Sequence, residues 1–323
     1  MQQSGQQAPR IGIALVQWNH AEYTLQLLKD LIKSELPFYR IAVCDNGSDK
    51  GAWEQLVQGA ERLLQTSASE QKNTEGWEVA LLRNRNNSGF AAGTNVSLDT
   101  LLQTELDWLW ILNNDVTIAQ AELTKLSNEL KGKEPGVYGV SILDASGEKT
   151  LGANVFNKWT TKYRPVIQQE VDKGRISKDC YINGASMIVH RSVIESIGQL
   201  SEATFLYFEE LDFSIRLKEG PYKQGIIDDV LIQHAGAGSS KGKGLSNIRM
   251  YHETWSTLAF YKKHYHRLLF YIIFVRTPLR VVTLILKRRY TELPEVFLAT
   301  FDFLRGKNRY KQPVDLIEKI FLP

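Results

Sequence analysis

The sequence predicts an α/β protein: a mostly parallel central sheet flanked by helices, followed by a helical, basic, apolar tail. Three observations carry this. Apolar β-branched runs alternate with amphipathic helical segments from residue 10 to 112, the pattern of right-handed crossovers in a parallel sheet covered on both faces. Each strand of that stretch ends in a polar segment, and ligands of such sheets bind beyond the carboxyl ends of the strands. Charge is divided unevenly, since residues 241–323 carry 16 Lys and Arg against 6 Asp and Glu, leaving 23 against 30 for the rest of the 323 residues.

Residues 1–9 read as a disordered leader without the basic start and apolar stretch of a signal peptide. RIGIALV (10–16) is the first strand and AEYTLQLLKDLIKS (21–34) the first helix. YRIAVCD (39–45) is a second strand, followed by a helix near 51–65 and a polar surface loop over 66–76. WEVALL (77–82), a helix over 91–103 and WLWIL (108–112) complete the regular part. Beyond it, VYGVSIL (137–143) and YINGASMIVH (181–190) read as strands, 207–218 as a helix and GIIDDVLIQH (225–234) as the last strand. With 43% apolar and 23% charged residues the chain can bury a core, which excludes collagen-like and wholly disordered classes. Cys44 and Cys180 are too few for a disulfide framework and predict free thiols in a reducing, cytoplasmic setting.

The polar strand exits are QWNH (17–20), DNGSD (45–49), RNRNNSG (83–89) and NNDV (113–116). DNGSD reads either as an ordinary turn and helix cap or as the wall of a site headed by Asp45. In NNSGFAAGTN (86–95), Gly89 and Gly93 allow backbone to approach a ligand at a helix N-terminus that favours phosphate. The segment is neither G-x-G-x-x-G nor a P-loop, which counts against a dehydrogenase or a Walker-type hydrolase. Asp115 is placed to hold a divalent cation, because a cation bound with a diphosphate needs only one or two protein carboxylates. FLYFEELDFSIR (205–216) puts Glu209, Glu210 and Asp212 among aromatics, where like charge and desolvation raise a carboxylate pKa. Asp212 and Arg216, at i and i+4, also read as a plain helix ion pair. His234 ends the last predicted strand, ahead of a Gly-, Ser- and Lys-rich loop with Ser239, Ser240, Lys241 and Lys243, which reads as a lid over phosphate.

Together these segments resemble the family-2 inverting glycosyltransferases of GT-A fold, and more closely their rhamnosyltransferase-like branch. The resemblance spans about residues 10–265. It rests on VQWN (16–19), D-N-G-S-x-D over Asp45–Asp49, N-x-G-F-A-x-G-x-N over Asn87–Asn95, L-N-x-D over Leu112–Asp115, G-A-x-M-x-x-x-R over Gly184–Arg191, and F-x-Y-F-E-D-x-D-x-x-x-R over Phe205–Arg216. It implies a nucleotide pocket formed by Gln17, Trp18, Asn19, Asp45, Asn46, Gly47, Asn87, Gly89, Phe90, Gly93, Asn95 and Asn113, with Arg83 and Asn114 of the same strand exits. Gly184, Ala185 and Phe208 fall on the acceptor side. A divalent metal, Mn2+ or Mg2+, is implied on Asp115 with His234 as helper. Two positions depart from the family's pattern: Asn113 stands at the first acidic position of D-x-D, and Glu210 stands where an aspartate base is usual. Glu209 and Asp212 stay open as alternative bases. The implied reaction moves a sugar, L-rhamnose by branch resemblance, from a deoxythymidine-diphosphate donor to a glycan or polyprenyl-diphosphate-linked acceptor in bacterial surface polysaccharide synthesis.

The division expected is a catalytic domain over 10–245 and a helical region over 246–323. RLLFYIIFVRTPLRVVTLILKRRY (267–290) has only eight uncharged residues in a row before Arg276, short of the roughly 20 that span a bilayer. With Arg276, Arg280, Thr283 and Lys287 on one stripe it reads as an interfacial helix on the inner face of the cytoplasmic membrane. The competing reading is a helix buried on the catalytic domain. The tail can also pair two copies. It lacks a base-stacking platform, which argues against nucleic acid. A sugar nucleotidyltransferase would need a Gly-rich basic loop where QWNH stands; a non-catalytic, membrane-associated binding module with a decayed site would show Asn113 and Glu210 as symptoms, against which the retained Asp115, Glu209, Glu210, Asp212 and His234 argue.

Overall fold

In the computed structural model, which describes residues 8–33, 38–69, 78–172, 174–176, 180–236 and 245–322, the alternation becomes one wound sheet. β1 (Ile11–Gln17), β2 (Phe38–Asn46), β3 (Glu78–Asn84) and β4 (Trp108–Asn113) are joined by α1 (Ala21–Ile32), α2 (Lys50–Ser69) and α3 (Phe90–Leu102). Strands covered on both faces read as unbroken apolar runs, and nearly all of β1 and β4 is buried. The four strands are parallel in the order β3-β2-β1-β4. Winding therefore reverses at β1, and a crevice opens at the carboxyl ends of strands at such a switch point. α2 continues to Ser69, through residues read as the start of a surface loop, because nothing from 66 to 69 breaks a helix; residues 70–76 of that loop lie outside the described residues.

α4 (Gln120–Leu130) leads to β5 (Gly136–Asp144). β6 (Ala153–Asn157), β7 (Lys162–Pro165) and β8 (Cys180–Ile182) form a separate antiparallel sheet, whereas β9 (Ser186–His190) enters the large sheet antiparallel between β4 and β5. The single strand expected over 181–190 is thus two strands in two sheets. Asn183 causes the break: its Oδ1 accepts the Ala185 N–H at 2.9 Å, an Asn-driven turn. α5 (Arg191–Ile197), α6 (Glu209–Lys218) and β10 (Lys223–His234) follow, β10 running parallel to β5. Cys44 and Cys180 are free and buried.

The tail folds as α7 (Leu245–His264), α8 (His266–Leu286) and α9 (Leu293–Leu304). The chain then returns: β11 (Leu316–Leu322) lies antiparallel on β3 and forms the sheet edge, so β10 is not the last strand. Two charges, Glu318 and Lys319, mask β11 in the sequence and suit an exposed edge. α8 contains a π turn over Ile272–Arg276, because Pro278 lacks an N–H and its ring excludes the preceding α-helical carbonyl.

The stripe read on α8 turns inward at two of its positions. Arg280 donates to Glu253 Oε1 at 2.7 Å and to Thr254 Oγ1 at 3.0 Å, both on α7, and Arg276 donates to the Thr160 carbonyl. The outward face is apolar, with Phe270, Phe274, Leu279, Val282 and Leu286 exposed, Leu286 to 78%. Phe297, Phe301 and Leu304 of α9 extend it. Only 11% of the most apolar window of α8 is buried, so the helix is not sunk into the domain. By length and composition it also meets the requirement for crossing a bilayer, which the charge-interrupted run had excluded.

Candidate active site

Parallel register aligns the ends of the central strands, pairing Gln17 with Asp45 and Val16 with Asn113. Gln17 Nε2 donates to Asp45 Oδ2, and the Ser48 N–H donates to Oδ1 at 3.1 Å. Burial pushes the Asp45 carboxyl up, against the hydrogen bonds of Ser48 and Gln17 and the charge of Arg83. Arg83 itself lies 5.4 Å from the Trp53 ring. Asn19, held at a left-handed φ of 58°, ties the loop after β1 to the loop after β2. Its N–H donates to Ser48 Oγ and its Oδ1 accepts the Asp49 N–H, both at 2.8 Å. Trp18 is half-buried beside this clasp, and Asn114 donates to Thr24 Oγ1 at 3.0 Å.

Part of the expected nucleotide set builds the frame instead. Asn46 Nδ2 donates to Asn87 Oδ1 (3.1 Å) and the Gly89 carbonyl (2.9 Å), while its Oδ1 accepts from Asn84 Nδ2 (3.1 Å) and the Ser88 N–H (3.2 Å). Gly47, with φ +79°, lets this turn touch the backbone of Asn86 and Asn87. At Gly89 and Gly93, read as admitting a phosphate, the missing side chains make room for neighbouring protein. The Phe90 N–H is donated to the Phe205 carbonyl at 2.9 Å, and a Cβ at Gly89 would overlap Phe205 backbone. A Cβ at Gly93 would stand 3.0 Å from Asn46 Nδ2 and Val16. Asn95 also turns away from the crevice, donating to the Leu200 carbonyl at 2.9 Å and Glu202 Oε1 at 2.8 Å. Asn84 and Ser88 are hubs that sequence reasoning missed; N-R-N-N-S-G looked like one undivided loop.

Asp115 and His234 do meet: His234 Nε2 lies 3.1 Å from Asp115 Oδ1 and 3.3 Å from Asn113 Nδ2. The described residues contain no group of three or more His, Cys, Asp and Glu able to hold a metal. A buried carboxylate with one imidazole still fits a cation that takes the rest of its shell from a diphosphate and water. The expected lid, Ser239, Ser240, Lys241 and Lys243, lies outside the described residues.

The acidic triplet divides into three environments. Tyr207 and Phe208 are consecutive residues with φ of 75°, a strained turn of the kind that gathers at functional sites. It is buttressed by α7, whose Ser256 Oγ donates to the Leu206 carbonyl at 2.7 Å, and Phe208 stacks on Phe260 at 4.8 Å. Glu209 behind this turn is 2% exposed, with no side-chain hydrogen bond to either carboxylate oxygen among the described residues. Burial, reinforced by the Glu210 charge, raises its pKa well above the carboxylate range. Glu210 is half-buried, its carboxylate lying against Gly184 so closely that a Cβ there would overlap it. Burial raises its pKa, opposed by the N–H groups of Glu210 and Gly184. Asp212 is saturated by Arg216 Nε (2.8 Å), His264 Nε2 (2.7 Å) and Lys263 Nζ. Burial alone would raise it, but these three partners hold it far below the usual range. The i,i+4 pair read from the sequence is therefore real, and Asp212 serves the fold. Ala185, next to Gly184, gives its carbonyl to the Asn113 N–H at 3.0 Å. One short chain of contacts thus runs from Glu210 through Gly184, Ala185, Asn113 and His234 to Asp115.

Residues 13–198 match the model of the family described as "Glycosyl transferase family 2". The chain belongs to glycosyl transferase family 2. It is 23% identical over 235 residues to an N-acetylglucosaminyl-diphospho-decaprenol L-rhamnosyltransferase of Mycobacterium tuberculosis, covering 66% of this chain and 72% of that one. A mannosyltransferase from Pyrobaculum calidifontis, solved with GDP-Man and Mn2+, superposes with a TM-score of 0.56 at 12% identity, over 94% of this chain and 89% of that one. GalNAc-T7, solved with UDP, GalNAc and Mn2+, gives 0.53 at 14% identity over 78% of this chain; this family 2 chain spans about half (51%) of it. These likenesses establish the GT-A fold, and the match to the family model makes the chain a glycosyltransferase.

Proposed function

We propose that this glycosyltransferase moves a sugar from a nucleoside-diphosphate donor to an acceptor hydroxyl by single displacement with inversion, and that Glu210 is the base. The arrangement of the three acidic side chains carries this reading. Asp212 has its oxygens committed, and Glu209 is enclosed, with burial raising its pKa well above the carboxylate range. Glu210 is the half-exposed carboxylate, linked by short contacts to Asp115. A raised pKa strengthens it as a proton acceptor near neutral pH. Glu210 takes the acceptor hydroxyl proton as the oxygen forms its bond to the anomeric carbon, and the donor's carbon–oxygen bond breaks to release the nucleoside diphosphate. Asp115 and His234 would hold a divalent cation, Mn2+ or Mg2+, which supplies charge neutralisation for the departing diphosphate. Asp45 and Gln17, buried and bonded to each other at the ends of β2 and β1, with Trp18 beside them, would support the nucleotide end of the donor.

The 23% identical relative, named for L-rhamnose transfer to N-acetylglucosaminyl-diphospho-decaprenol, supports L-rhamnose as the sugar and a polyprenyl-diphosphate-linked acceptor; deoxythymidine-diphosphate rhamnose is the donor that the branch resemblance implies. The outward apolar face of α8 and α9, flanked by Lys287, Arg288 and Arg289, supports an enzyme lying on the cytoplasmic face of the membrane. The ties of Arg276 and Arg280 to Thr160, Thr254 and Glu253 hold α8 to the rest of the protein and support the surface-lying reading over a spanning one. The deciding experiment is a nucleotide-sugar panel assayed for transfer with the full chain, with and without Mn2+. Turnover abolished in Glu210→Gln with nucleotide binding intact supports the reading; undiminished turnover in that variant removes Glu210 from the mechanism.

A further inference from the structure

A cavity of about 540 Å³ lies between α7, α8 and the start of β7. Its wall carries Lys162, Arg249, Arg276, Arg280, Lys287 and Arg289 against two carboxylates, Glu253 and Glu292. The carboxylates are spoken for: Glu253 accepts from Arg280 at 2.7 Å, and Glu292 accepts both arms of Arg289 at 2.5 and 2.6 Å. Lys162, Arg249, Arg276 and Lys287 have no carboxylate partner among the described residues. Four cations facing one cavity repel one another, a cost that an oligoanion with several acceptor oxygens removes.

Two neighbours of the cavity identify the anion. On one side Leu279 belongs both to the wall and to the exposed apolar face of α8, so the rim continues into the surface read as membrane-facing. On the other, the charge of Arg249 acts on the Tyr207 phenol, which belongs to the strained turn that presents Glu209 and Glu210. We propose that this cavity binds the diphosphate of a prenyl-diphosphate-linked acceptor, its chain running out over the apolar face and its sugar reaching past Tyr207 toward Glu210. The inference deepens the acceptor reading above and rests on it.

The test separates the two. The full chain is titrated with phosphatidylcholine vesicles that contain geranylgeranyl diphosphate, or phosphatidylglycerol at matched charge, or no anionic lipid, and binding is read by co-sedimentation. Tighter binding to the prenyl diphosphate vesicles by about tenfold or more is expected. That preference should fall several-fold in Lys162→Gln and in Lys287→Gln, two variants on different elements, each checked for an unchanged melting temperature. Equal binding to both anionic vesicles, or a preference that survives both variants, overturns the proposal. So does displacement by inorganic pyrophosphate at concentrations matching the lipid, which would assign the cavity to a free anion. If the preference holds while no sugar is transferred to a prenyl-diphosphate-linked acceptor, the acceptor reading fails and the cavity assignment stands.

Discussion

Glu209 and Glu210 are neighbours in sequence with opposite fates, and pH tells them apart. In the unfolded chain Glu209 ionises near its ordinary value of about 4.3, whereas the folded protein keeps it neutral to higher pH. The unfolded state therefore releases this proton first, and stability falls as pH rises from about 4 toward the raised folded value. Glu209→Gln should lift the melting temperature at pH 7 and flatten its pH dependence, while leaving transfer activity in place; calorimetry from pH 4 to 8 checks this. Asp212 has the reverse sign: its depressed folded pKa stabilises the protein above about pH 4 and the contribution is lost on acidification. Asp212→Asn strands Arg216, Lys263 and His264 and should cost about 3–5 kcal/mol in urea unfolding. Glu210 has to be ionised to act, so kcat/KM should fall on the acid side with a midpoint above the ordinary glutamate value. The candidate residues were legible as candidates because strand exits and one acidic cluster are patterns of type and spacing. The roles of Asn46, Asn95 and Gly89 were not, since a polar side chain that binds a distant carbonyl looks in sequence like one that binds a ligand.

At the level of elements, α3 is fixed by contacts that a single methyl group would break. Gly89→Ala meets both a positive φ and the Phe205 backbone, so a loss of about 1–3 kcal/mol is expected, together with a raised KM for donor because the Phe205–Phe208 loop shifts; denaturant melts and steady-state kinetics read the two effects. The regular crossovers were legible through periodicity, and α8 was legible as amphipathic. Which way its arginines face was not, because a helical stripe has no address until α7 supplies Glu253 and Thr254. β11 was missed for a related reason. Its seven residues include two charges, and only the waiting edge of β3 makes them a strand. Removing residues 313–323 should expose β3, free Asn84 from the Asp315 N–H (2.6 Å) and Ser88 from the Pro313 carbonyl (3.0 Å), and raise hydrogen exchange in β3.

For the whole molecule, the cationic cavity shares Leu279 with the apolar face of α8, and its wall includes none of the strand-end residues of the crevice. Val282→Asp with Leu286→Asp should abolish vesicle binding and spare donor hydrolysis in solution, read by flotation beside a soluble assay. Raised salt should weaken binding to anionic vesicles more than to neutral ones, by about 1 kcal/mol for each surface cation screened. The return of β11 to β3 has a further consequence in time. Asn84 and Asp315 are 231 residues apart, so at roughly 5–20 residues per second of synthesis the β3 edge stands open for about 10 to 50 seconds. The apolar helices α8 and α9 leave the ribosome during that interval, ahead of the strand that closes the sheet. A nascent chain thus presents its exposed apolar helices while an adhesive strand edge is still bare. On the proposed membrane-lying reading, early capture by a bilayer would hold such chains apart, so the lipid would protect the chain before the enzyme is complete.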